Sequence, residues 1–194
     1  MGPRAFVKGI RITMTVRSYL SPLRAPLLAL LALVPALAQA VDGYAGIAFG
    51  TEQKAFLAKK LCTFLPRKID VVGVEYFECT DLTFAGEKVE AGAFFIDGRF
   101  LRLSIVTPLA QSFLIAEGLT QKYGKPSSQS SAAAFERLTQ DDDAQAYLAF
   151  DHDTVVYKFS AQAARKKQVL LIYTSPRYEP LLKEKQLQFV KDSL

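Results

Sequence analysis

Residues 91 to 106, AGAFFIDGRFLRLSIV, restrict the possible folds more than any other stretch of the chain. Two runs rich in aromatic and aliphatic residues flank Asp97-Gly98, a pair suited to the positive φ angles of a two-residue type I′ turn. Such a turn pairs the runs as antiparallel strands, with Ile96 opposite Arg99, Phe95 opposite Phe100 and Phe94 opposite Leu101. Side chains alternate between faces of a strand. Phe94, Ile96, Leu101, Leu103 and Ile105 therefore share one face, the expected core face. Ala93, Phe95, Phe100, Arg102 and Ser104 share the other. Two cross-strand phenylalanines beside an arginine have the composition of a protein interface, so Phe95, Phe100 and Arg102 form the candidate interaction face. The alternative is that the other half of the domain, or a C-terminal helix, packs there.

Around this hairpin the pattern reads as α+β. Thr51 caps a helix over EQKAFLAKKL, with Phe56, Leu57 and Leu61 on its apolar stripe. Thr107 and Pro108 open a second, with Leu109, Phe113, Ala116, Leu119 and Tyr123 at helical spacing and Gly124 at its end. A third begins near Tyr178 and carries Leu181, Leu182, Leu187 and Val190. Residues 124 to 134, GKPSSQSSAAA, read as a connector. Strands are expected at GIAFG, and in the second half at AAFERL, AQAYLAF, TVVYKFS and QVLLIYT, with Asp151-His152-Asp153 as a hairpin turn. The expected architecture is an antiparallel sheet with helices packed on one face, built as two helix-plus-four-strand halves, roughly 41–106 and 107–194.

The N-terminal region sets the compartment. APLLALLALVPALAQA, residues 25 to 40, is too short an apolar run to span a bilayer, which needs about 20 residues. Arg17 and Arg24 precede it, and Ala38-Gln39-Ala40 follows with small residues where a signal peptidase needs them. Residues 1–40 are thus read as a signal peptide cut after Ala40, leaving 41–194 as a single α+β domain without a transmembrane segment. A start at Met14 gives a leader of ordinary proportions. The predicted location is the periplasm or the exterior. Five of the 24 basic residues lie in the leader, which has no acid, so residues 41–194 carry 19 of each sign. A neutral chain lacks the surplus of Lys and Arg that phosphate neutralisation needs, and no nucleic acid is expected as partner. In an oxidising compartment the two cysteines, Cys62 and Cys79, read as a disulfide.

The series GIAFGTEQ, FFIDGRFLRLSIV and LTQKYGKP, across residues 46 to 126, resembles small exported bacterial proteins of uncharacterised families. The twice-repeated helix-plus-four-strand plan is similar in outline to the tandem fold of the β-lactamase-inhibitor protein. That resemblance implies binding of a target enzyme through a concave sheet face, and it carries over no contact residue.

Catalytic chemistry finds little support. His152, the only histidine, sits between two aspartates in a turn, where Asp and His are ordinary turn residues. No G-x-S-x-G elbow, phosphate loop or dinucleotide fingerprint occurs. QDDDAQ, residues 140 to 145, lacks the alternating spacing that wraps a calcium ion. ARKKQ, with Arg165, Lys166 and Lys167, reads as a solvated basic loop. No catalytic residue, cofactor or metal is expected. The predicted function is a non-catalytic binding protein, an inhibitor or immunity-type protein whose partner is a protein or envelope component. The alternative is a small-ligand carrier or weak hydrolase with a pocket lined by Tyr147, Tyr157 and Tyr173.

Overall fold

A computed structural model describes residues 40–162 and 166–194. The expected leader, the Met14 start and the side chains of Arg165, Lys166 and Lys167 lie outside the described residues.

The elements run β1 (Gly43–Tyr44), β2 (Ile47–Ala48), α1 (Gln53–Ala58), β3 (Leu65–Arg67), β4 (Glu75–Phe84), β5 (Glu87–Ile96), β6 (Arg99–Thr107), α2 (Ser112–Tyr123), β7 (Ser128–Gln129), α3 (Ala132–Arg137), β8 (Gln145–Phe150), β9 (Val155–Gln162), β10 (Lys166–Thr174) and α4 (Tyr178–Asp192). β1 and β2 form a small hairpin. The other strands build one antiparallel sheet in the order β3-β4-β5-β6-β10-β9-β8-β7, so the fold class is α+β, as the sequence predicts. Two consecutive runs of four strands each stay together, and their last members, β6 and β10, meet at the centre. Among the described residues no helix is long and apolar enough to cross a membrane.

Asp97 and Gly98 have φ of 51° and 65°, the left-handed pair that the hairpin turn requires. Ile96 lies opposite Arg99 and Phe95 opposite Phe100, as expected, but Phe94 lies opposite Arg102. Leu101 is an extra residue on β6, a β-bulge, and one extra residue inverts every face beyond it. Phe95 and Phe100 therefore share the core face with Ala91, Ala93, Leu103 and Ile105. Phe94, Ile96 and Leu101 turn to the opposite face.

The main core lies between the sheet and α1, α2 and the β1–β2 hairpin. Phe56 of α1 stacks on Phe100 at 4.4 Å and meets Phe64 and Phe95 at 5.3 Å each. Val155, Tyr157, Val169, Leu171 and Phe150 extend it across the second half of the sheet. In α2 Leu119 reaches this core, with Ile115, Ala116 and Tyr123 partly buried against it, whereas Phe113 is 77 % exposed. The short 3-10 turn at Leu109–Gln111 delays the α-helix to Ser112 and rotates the expected stripe away from the sheet.

Two further expectations change. AAFERL lies largely in helix α3, where the Ser131 hydroxyl caps the N-terminus by accepting from the Ala134 N–H. The edge strand is instead β7, inside the expected connector. Finally, α4 lies on the opposite face of the sheet from the core helices, where Tyr178, Leu181 and Leu182 pack on Phe94, Ile96 and Leu101.

Candidate functional site

Alternation along the strands gives the sheet an outer face, opposite the main core, and α4 covers only one end of it. Arg102 fixes that end. Its Nη2 donates to Glu179 Oε1 at 2.6 Å, its Nε to Thr174 Oγ1 at 3.0 Å, and its guanidinium stands 3.6 Å above the Tyr178 ring. Lys185 holds the next turn of α4 on Asp97 at 2.6 Å. The hydrogen bond to Asp97 raises the Lys185 pKa. Gly73 lets the preceding loop approach, because a Cβ there would lie 2.5 Å from that of Lys185.

The predicted interaction face is thereby corrected. Phe95 and Phe100 are both 0 % exposed, and the bulge at Leu101 separates them from Arg102, which points to the other side. Arg102 is a clamp for α4. The small-ligand pocket is corrected too. Tyr157 is wholly buried, and the Tyr147 side chain lies on the outer face while Tyr173 faces the core.

Beyond α4 no element among the described residues covers the outer face. Val106, Val156, Leu170 and Ile172 are half-buried on it. An open depression of about 560 Å³ at its β7–β9 end is lined by Tyr147, Ala149, Val156 and Lys158, with Ser128, Ser130 and Asp153 at the rim. This patch is assembled from three strands, and alternation along β8 and β9 was the sequence signal for it. Ser128 and Ser130 fall in the stretch that reads as a connector, so the sequence alone did not mark the depression itself.

At the β3–β5 end the same face is charged. Arg67 Nε donates to Glu78 Oε2 at 2.9 Å, and this bond lowers the Glu78 pKa. Burial raises the pKa of neighbouring Glu90, and hydrogen bonding to Glu78 adds to the rise. The negative charge of Glu78 beside it pushes in the same direction.

On the core side, Tyr44, Tyr123 and Tyr173 line a pocket of about 480 Å³ with Lys122 and Val41. Burial raises the pKa of Tyr44 and Tyr173, and each is raised further by the adjacent Tyr123 phenol.

Cys62 and Cys79 form a disulfide, with Cα atoms 6.2 Å apart, tying the segment after α1 to β4. Asp81 lies close to both sulfurs. The sulfurs are consumed by the bond, and Asp81 accepts from the Thr63 N–H and hydroxyl at 2.8 Å each, which lowers its pKa. His152 lies at the tip of the β8–β9 turn, with Nδ1 3.6 Å from Asp151 Oδ1.

A family model described as "Uncharacterised protein" matches residues 44–193. An "Uncharacterized protein" of Haemophilus influenzae is 28 % identical over 159 residues, covering 80 % of this chain and 88 % of that protein. No solved structure matches the chain.

Proposed function

Because the chain belongs to this family of uncharacterised proteins over residues 44–193, we propose its function from its own surface: an exported, non-catalytic binding protein that engages another protein through the outer sheet face. The observation that carries this reading is the uncovered part of that face. Half-buried Val106, Leu170 and Ile172 on β6 and β10 continue, through Val156, into the depression at Tyr147 and Lys158. An apolar centre with an aromatic anchor and a polar rim is the anatomy of protein interfaces. Export is supported by the leader pattern and is compatible with the disulfide. The two four-strand runs resemble the β-lactamase-inhibitor tandem fold in outline, which favours an inhibitor or immunity role.

A photo-crosslinking residue placed at Tyr147, with one at exposed Lys54 as control, tests the reading in cells. One discrete protein adduct from position 147 alone, lost on Val156→Asp, is expected. Equal labelling from both positions, or none from 147 in folded protein, refutes it.

A small-ligand carrier is the second reading, favoured by the tyrosine-lined pocket at Tyr44, Tyr123 and Tyr173.

A further inference from the structure

We propose that cleavage after Ala40 creates a structural ion pair, in which the new α-ammonium group of Val41 seats on the carboxylate of Asp151. The inference rests on the exported reading above, since it needs that bond to be cut. Hydrolysis adds one water across the Ala40–Val41 peptide. The hydroxide goes to the Ala40 carbonyl carbon, the Val41 nitrogen leaves with the proton, and the freed amine is protonated at neutral pH.

The receptor for this charge is already built. The Val41 N–H donates to Asp151 Oδ2 across 110 residues of sequence. The Asp151 side chain is only 12 % exposed. Its other partners are the Thr154 hydroxyl, 3.1 Å from Oδ2, and the exposed His152 ring, 3.6 Å from Oδ1. Among the described residues no lysine or arginine pairs with it. A largely buried carboxylate met by an amide and a hydroxyl is under-compensated. A cation delivered at the position of the Val41 nitrogen supplies the missing charge.

Both sides of the pair are held. Asp151, His152 and Asp153 have φ of 51°, 58° and 64°, three successive non-glycine residues in the left-handed region. This turn is braced by the Thr154 hydroxyl on the Asp151 carbonyl at 2.7 Å and by Ser127 and Ser128 hydroxyls on Asp153 at 2.6 and 2.9 Å. On the other side, the Asp42 carbonyl accepts from the Phe49 N–H at 2.6 Å, which anchors the strap leading into β1. Val41 and Asp42 also wall the tyrosine pocket together with Lys122, Tyr123 and Tyr173. Maturation thus ties the N-terminal strap, the β8–β9 turn and this pocket together. A precursor has only the hydrogen bond of a neutral amide at Val41 and lacks the ion pair.

The groups beside the Asp151 carboxylate are His152 and Thr154 from the turn, and the titratable groups that share a pocket lining with Val41 are Asp42 from the strap, Lys122 and Tyr123 from α2, Tyr44 from β1 and Tyr173 from β10. Pairing with Asp151 raises the pKa of the α-ammonium above its ordinary value of about 7.7–8.0. Its contribution to stability is therefore complete below that ordinary value and is lost as pH rises through the raised one.

The test expresses the whole chain with its leader in an exporting bacterial host and reads the N-terminus of the product by intact mass. Thermal midpoints are then measured from pH 6 to 10 for the processed protein, for Asp151→Asn, and for the processed protein acetylated selectively at its α-amine. The expected product begins at Val41. Its midpoint falls above about pH 8, acetylation lowers it at pH 7, and Asp151→Asn abolishes both effects. Should Asp151→Asn not fold, acetylation of the wild-type protein decides alone. A product that begins at Val41 but is indifferent to acetylation overturns the pairing and leaves export standing. A product cut elsewhere overturns the pairing and leaves export standing, whereas a product that retains the leader overturns the export reading and the pairing together.

Discussion

Leu101 has no partner across the β5–β6 hairpin, and every later side chain on β6 changes side because of it. Phe100, just before it, is wholly buried among Phe49, Phe56 and Phe95. Phe100→Ala should cost about 3–5 kcal/mol in chemical denaturation, whereas Tyr147→Ala on the outer face should stay within about 0.5 kcal/mol. Comparable losses at the two positions would contradict the assignment of faces. The turn at Asp97-Gly98 was legible because only a few residue pairs accept two positive φ angles. The bulge was not, because both faces of the hairpin carry phenylalanines and leucines. Counting by twos then had no polar residue to betray the slip until Arg102. Since Arg102 is drawn to the outer side by Glu179 and Tyr178, its partner on α4 is the information that local sequence lacks.

At the scale of elements, α4 and the disulfide are attachments whose strength can be measured separately. Arg102→Ala removes a charge-assisted hydrogen bond and a cation–π contact at a mostly buried site. It should cost roughly 1–2 kcal/mol, and hydrogen exchange should show α4 amides opening before those of β5 and β6. Uniform exchange across all three elements would refute a local clamp. Reduction of Cys62–Cys79 should lower stability by about 3 kcal/mol in the chain-entropy model, read from denaturation midpoints with and without reductant. Helices α1, α2 and α4 were legible as helices from their apolar residues, but not their starts: Glu52 rather than Thr51 precedes α1 and makes no side-chain cap bond, and α2 begins at Ser112 rather than at Pro108. Helix α3 is six residues long, too short for its period to be told from a strand, although Ser131 was present as a cap. The outer-face depression was illegible for a different reason: β7, which supplies its rim, is two residues long and is a strand only because β8 offers an edge.

For the whole molecule, carboxylates on the outer face and beside the disulfide shape the response to pH. Glu78 and Asp81 have lowered pKa values in the folded state, so their contributions hold above the ordinary carboxylate range and fade as pH falls through the lowered values. Glu90 works in the opposite sense. Its pKa is raised, so its contribution is complete in acid and is lost as pH rises through the raised value. Glu90→Gln should therefore raise the thermal midpoint at pH 7 and leave it nearly unchanged near pH 3.5. A midpoint that falls at pH 7 would show that Glu90 acts through its charge on Arg67 instead.

The pairing of β6 with β10 brings Thr107 beside Val169 and Arg102 beside Thr174. Strands β3 to β6 are neighbours in sequence and can zip together quickly from local contacts. Their innermost strand must then wait, its backbone donors and acceptors unmet, until most of the chain has been made. An open strand edge of this kind is a template for pairing with another copy. The time between synthesis of Thr107 and arrival of Thr174 is thus the interval in which this protein is most exposed to aggregation, and a holdase that shields β6 during it would raise the yield without altering the finished fold.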